Sequence, residues 1–272
     1  MSHVNPIFFP NPATALLDSR KTRDDFKLTP EKMDYEMQFQ IPSDFLHIHW
    51  PTQEALEYFV RHYAHAYKVL WLDGMYLKDL SPLGDLYNLE ALLIDWSRAD
   101  KLWDLSRNTS LKVLDIRNCK KLVANPMELR TSRTLEEIYL FGADFDNKHT
   151  LESLSCFSGM ESLKRIELYN IKLKEKNFDI LSTLPNLEEF HFDPGMLTTE
   201  EIAWICAKYP HLYGYTLRPY DDEYLHRWGE VRVCGHRKPT LTLPQQQKQL
   251  DRYVAQFNAL VEHYQDTTIQ KG

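Results

Sequence analysis

Residues 89–94 read LEALLI and residues 111–116 read LKVLDI, one apolar-x-x-apolar-x-apolar phrase written twice. Five more segments follow it: YKVLWL from Tyr67, LEEIYL from Leu135, LKRIEL from Leu163, LEEFHF from Leu187 and LYGYTL from Leu212. Successive starts lie 22, 22, 24, 28, 24 and 25 residues apart. Self-similarity with a period of about 20–29 residues marks a stacked repeat. Each phrase alternates as a short strand does, with its apolar side chains on one face. A single repeat cannot bury that face alone. Neighbours must stack, and their strands must line up as a parallel sheet.

Outward from the repeats, Phe45-Leu-His-Ile-His-Trp50 has the pattern of one more strand, and residues 51–62 that of the helix after it. Val231-Arg-Val233 and Leu241-Thr-Leu243 predict a further strand or hairpin. The last helix is expected from about Pro244, because Leu250, Tyr253, Val254, Phe257, Leu260, Val261 and Tyr264 recur at three and four. The expected organisation is an irregular leader over residues 1–44, a cap strand and helix over 45–66, repeats over 67–220 and a C-terminal cap over 221–272.

Leu77, Leu80, Leu83, Leu86 and Leu89 form a ladder spaced by three. Together with LYNLEAL at 86–92 and LSTLPNLEEF at 181–190, it resembles the leucine-rich-repeat family. The early repeats are similar to internalin-like ones, whose convex side is a tight 3₁₀ turn. The later repeats are expected to carry helical convex segments, at Phe178-Asp-Ile-Leu-Ser-Thr-Leu184 and after the capping box Thr198-Thr-Glu-Glu201. The resemblance implies an α/β solenoid: a curved parallel sheet on the concave side, helices and 3₁₀ turns on the convex side, and capping helices at the ends. The family places Asn or Cys three positions after the last apolar strand residue. Here Met75, Ser97, Cys119, Ala143, Ile171, Gly195 and Tyr220 stand there, and only Cys119 keeps the pattern.

Strand alternation then names the side chains expected to face solvent on the concave side. The position between the last two apolar residues gives His47, Trp71, Leu93, Asp115, Tyr139, Glu167, His191 and Thr216. The position after the strand gives His49, Asp73, Asp95, Arg117, Phe141, Tyr169, Asp193 and Arg218, with Trp96, Asn118 and Asn170 one step later. Stacking does not require large aromatics on that face, whereas aromatics interspersed with Asp and Arg are what interface hot spots are made of. The candidate partner-binding set is therefore Trp71, Asp73, Leu93, Asp95, Trp96, Asp115, Arg117, Tyr139, Phe141, Glu167, Tyr169 and His191. Acidic residues outnumber basic ones on that face, which suits a protein partner with a basic patch.

The chain has 39 acidic against 32 basic residues and lacks a basic run, which argues against nucleic acid. The N-terminus lacks the pattern of a secretory signal, and the apolar stretches are too short to span a bilayer. Cys119, Cys156, Cys206 and Cys234 lack CxxC spacing and are expected to be reduced, as in the cytoplasm. No cofactor or catalytic motif is found: GxSxG, GxxxxGK[ST] and GxGxxG are all missing. The expectation is a non-catalytic protein-binding module, in its sharpest form an inhibitor such as a toxin-neutralising immunity protein. One alternative is an adaptor or scaffold subunit. Another is a metal-dependent enzyme using His47, His49 and Asp73, with Asp95 nearby; a lone HxH is weak evidence for it, and no metal ligand is assigned.

Overall fold

The computed structural model describes residues 27–40, 43–74, 76–143, 148–222 and 225–269. In chain order the elements are α1 (Pro30–Met37), β1 (Phe45–His49), α2 (Gln53–His62), β2 (Val69–Asp73), β3 (Ala91–Asp95) and β4 (Val113–Arg117). Then come α3 (Lys120–Ala124), β5 (Glu137–Phe141), β6 (His149–Ser153), β7 (Arg165–Tyr169), β8 (Ile171–Glu175) and β9 (Glu189–Phe192). The chain ends with α4 (Thr199–Lys208), β10 (Tyr220–Asp221), α5 (Leu225–Trp228), β11 (Glu230–Val233), β12 (Thr240–Thr242) and α6 (Gln247–Ile269). Among the described residues, one compact unit holds 27–163 and 172–186 and a second holds 164–171 and 187–269.

In the first unit, β1 to β5 pair parallel in chain order and in constant register. Leu46, Leu70, Leu92, Leu114 and Ile138 stand side by side, as do Ile48, Leu72, Ile94, Ile116 and Leu140. All ten are buried. They are the inward positions of the repeated phrase, so the sequence period sets both the register and the core. Short 3₁₀ turns separate the strands, among them Ser81–Asp85, Leu105–Arg107 and Met127–Thr131. Side chains three apart eclipse in such a turn. Leu77, Leu80, Leu83 and Leu86, spaced by three, are accordingly all buried.

Cys119, the one residue that keeps the family's turn pattern, acts as a bridge. Its Sγ accepts the backbone N–H of Ser97, one repeat earlier, at 3.1 Å and lies 2.9 Å from the Arg117 carbonyl. Asn108 makes a second bridge that the repeat pattern does not announce. Its amide donates to the Leu83 and Leu86 carbonyls at 2.8 and 3.2 Å, and its oxygen accepts the Trp103 indole N–H at 2.7 Å.

Two local expectations are corrected. The leader expected to be irregular contains α1, which Thr29 caps by accepting the Lys32 N–H, with Pro30 in the first turn. Asp34 on α1 accepts hydrogen bonds from the hydroxyls of Tyr58 and Tyr63, and Met33 is buried. Residues 1–26 and 41–42 of that leader lie outside the described residues. The convex segment beginning at Phe178 is a 3₁₀ turn, Phe178–Thr183, started by the Asn177 side chain accepting from the Asp179 N–H.

In the second unit, β7 and β9 pair parallel, with Ile166 beside Phe190 and Leu168 beside Phe192. The segment LYGYTL, expected to be a strand, supplies only one bridge, Tyr213 to Glu189. The chain turns at Gly214, where a Cβ would lie 2.2 Å from the Phe190 carbonyl oxygen. Glycine alone fits that approach, and the turn that follows closes the strand. Thr198 and Glu201 form the reciprocal capping box of α4. Strands β10, β11 and β12 pair antiparallel. Val231, Val233 and Leu241 pack there with Leu250 of α6, and α6 also packs against α4. Among the described residues, no helix is long and apolar enough to cross a membrane.

Candidate partner-binding face

Constant register turns the outward positions of β1–β5 into two rows. His47, Trp71, Leu93, Asp115 and Tyr139 form one; His49, Asp73, Asp95, Arg117 and Phe141 form the other. In the second unit, Glu167 stands beside His191. The register thus aligns the outward positions as the repeat spacing does, with Trp96 and Tyr169 outside the paired rows.

Their exposure differs from expectation. Trp71, Asp73, Asp95, Arg117, Phe141, Glu167 and Tyr169 are half-buried, and Trp96 is exposed. Leu93, Asp115, Tyr139 and His191, expected to face solvent, are buried, as are His47, Asp193 and Thr216. Polar pairing along the strands explains much of this. Arg117 lies across Asp115, its Nε 3.0 Å from both carboxylate oxygens. The Tyr139 hydroxyl donates to Glu137, and its ring stacks beside Phe141. His191 is held between the Glu189 carboxylate at 2.8 Å and the Tyr215 ring, stacked at 4.8 Å. Leu93 stands in register between Trp71 and Asp115.

The most exposed candidate, Trp96, lies just past a strand end. There the ladder runs on by one residue: the N–H groups of Trp50, Trp96 and Asn118 donate to the carbonyls of Asp73, Arg117 and Phe141. All three carry left-handed backbone, with φ of 50°, 55° and 53°. Asn tolerates that region, and its side chain donates to Asp95 at 2.7 Å. A bulky side chain there costs roughly 1–2 kcal/mol. Two tryptophans nevertheless occupy it, and Trp96 is 50% exposed. Beside it, the Arg117 guanidinium sits over the Phe141 ring at 5.0 Å. Burial raises the Asp95 carboxyl above its ordinary value, while the Asn118 bond opposes the shift.

At the β1 edge, His47 stacks on Trp71 at 4.1 Å and His49 on Trp50 at 4.5 Å. His49 Nδ1 lies 2.7 Å from Asp73. Burial holds the His47 imidazole at about 4, helped by His49 and opposed by Asp73. The HxH spacing is weak by itself, and the repeat alignment of 47 with 71 and of 49 with 73 is what sets Asp73 beside the pair. The four thiols lack disulfide partners, and burial pushes Cys119, Cys156 and Cys234 to about 12 and Cys206 to about 11. They are poor nucleophiles.

No family model matches the sequence, and no curated protein does. Solved structures do. An internalin (inlF) of Listeria monocytogenes is 20% identical over 69% of this chain and 49% of its own, with a TM-score of 0.43. This chain thus spans about half of that one's length. Internalin C2 (inlC2) of the same organism is 16% identical over 61% of this chain and 74% of its own, with a TM-score of 0.34. Repeats of twenty-odd residues, all but the last giving a parallel strand, with short turns and helices between the strands, make this chain an α/β leucine-rich-repeat solenoid.

Proposed function

We propose that the chain is a non-catalytic protein-binding module and that its contact surface is the strand-end row of the first unit. The observation that carries this reading is Trp96. An exposed tryptophan on left-handed backbone lowers the stability of the fold and contributes little to its packing, so a contribution outside the fold accounts for it. Arg117 over Phe141 adds a preformed cationic and aromatic neighbour, the residue types that dominate interface energetics. The Asp95 carboxylate gives the row acidic character, which suits a partner presenting Lys or Arg.

The finer form of the proposal is an inhibitor that neutralises one dedicated protein, such as a toxin. The test uses the purified chain as bait in lysate of its own source, against a Trp96→Ala/Phe141→Ala variant. A stoichiometric partner held by the parent and lost by the folded variant supports the module, and a toxin in that place supports the inhibitor. A loss of at least about 30-fold in affinity is expected, since a hot spot contributes about 2 kcal/mol or more. Equal recovery by both proteins rejects the row as the site. An adaptor needs a second surface. The groove lined by Glu57, Arg61, His65, Asp79, Asp85 and Tyr87 between α2 and the Ser81–Asp85 turn offers one. An adaptor would hold two proteins at once, and Tyr87→Ala would release only one of them.

A further inference from the structure

We propose that His47, His49 and Asp73 form a binding site for one divalent transition-metal ion of the zinc class. The site follows from strand geometry. His47 and His49 are two apart on β1 and so share a face. Parallel pairing with β2 sets Asp73 beside His49 and Trp71 beside His47. One ligand atom from each of the three residues lies within 4.8 Å of the other two.

An independent observation points to a ligand. His47 is 6% exposed, and neither of its ring nitrogens has a hydrogen-bond partner among the described residues. Asp73 Oδ1 is likewise buried without one, although Oδ2 lies 2.7 Å from His49 Nδ1. A buried imidazole and a buried carboxylate oxygen left without partners cost free energy, and most buried polar atoms in folded proteins are paired. A cation that accepts one His47 lone pair and that of Asp73 Oδ1 removes two of these three penalties and leaves the second His47 nitrogen as it is.

The donors select the class of ion. Two imidazole nitrogens and one carboxylate oxygen suit zinc, cobalt, nickel or copper, whereas calcium and magnesium take oxygen donors. Three protein ligands leave a fourth tetrahedral position for water or an incoming group. Bonds of about 2.0–2.2 Å place tetrahedral ligands roughly 3.4 Å apart, so an ion draws the three side chains together and replaces the His49–Asp73 contact. The rings are already held: Trp71 stacks on His47 at 17° and Trp50 on His49 at 21°. These indoles form the apolar surround that strengthens ligation.

The test is calorimetric titration of the untagged, chelator-treated full chain with zinc(II), repeated with cobalt(II) and read by visible absorption. One ion per chain and the d–d bands of four-coordinate cobalt are expected. His49→Ala and Asp73→Asn should each weaken zinc binding at least tenfold, and His211→Ala, an exposed histidine in the other unit, should leave it unchanged. His49 and Asp73 are less buried than His47, so their variants are the ones expected to keep the parent's circular dichroism. No binding by the parent, or equal binding by the folded His49→Ala and Asp73→Asn variants, overturns the site. Asp73 belongs to both the strand-end row and the metal site, but Trp96 and Phe141, which the partner-capture variant removes, are not metal ligands, so the failure of one test is distinguishable from the failure of the other.

Discussion

Asn108 shows how one side chain holds two repeats together. It is buried, and it pairs with two carbonyls of the preceding turn and with the Trp103 indole. Asn108→Ala leaves a buried N–H and two carbonyls without that partner, and a loss of about 2–4 kcal/mol in urea unfolding is expected. Asn108→Asp should also destabilise, because a carboxylate accepts the indole proton but cannot donate to the carbonyls. The cysteines give a second check at this scale. With thiols raised to about 11–12, the native protein should react slowly with a disulfide reagent at pH 8. All four should titrate at once in denaturant; rapid labelling of the native chain would contradict the burial of Cys119, Cys156 and Cys234.

Among the elements, strands and helices depend on different terms. The strands are held by stacking, because each inward leucine touches its counterparts in the neighbouring repeats. Leu92→Ala removes a fully buried side chain from the middle of that row, and a cost of about 2–5 kcal/mol is expected. Helix α4 depends in addition on its first turn. Thr198→Ala removes the oxygen that accepts the Glu201 N–H, and about 1 kcal/mol should be lost. Thermal unfolding of the two variants ranks the effects, and a larger loss for Thr198→Ala would reject the ranking. The same contrast explains which elements were legible beforehand. The strands and the capping box carry local signatures of period and spacing. The Phe178–Thr183 turn and α1 are less plainly written: an Asn cap opens a 3₁₀ turn and an α-helix alike, and α1, although Thr29 and Pro30 mark its start, is held by tyrosines twenty-odd residues away.

For the molecule as a whole, the buried histidine of the second unit ties stability to pH. His191 is lowered from 6.5 chiefly by burial, and Arg165 adds to the shift. The Glu189 hydrogen bond and Glu167 oppose it, and Tyr215 covers the ring. The unfolded chain therefore binds this proton more readily than the folded one. The contribution to stability is complete above 6.5 and declines as pH falls below it. The urea midpoint should fall on acidification below 6.5, and less steeply in His191→Gln; parallel curves would show that His191 does not carry the effect.

The sequence alone determined the repeat, the inward leucines and the two outward rows, because strand and repeat periods are local and survive any rearrangement of surroundings. It also put His47, His49 and Asp73 on neighbouring outward positions and Trp96 one step past its strand. Only the tertiary structure decided which of them are accessible. Leu93, Asp115, Tyr139 and His191 occupy outward positions and are nevertheless buried, since exposure depends on neighbours in adjoining strands and loops that periodicity does not describe. The left-handed backbone beneath Trp96 was likewise unreadable. It follows from the ladder continuing to Arg117, a residue in the next repeat.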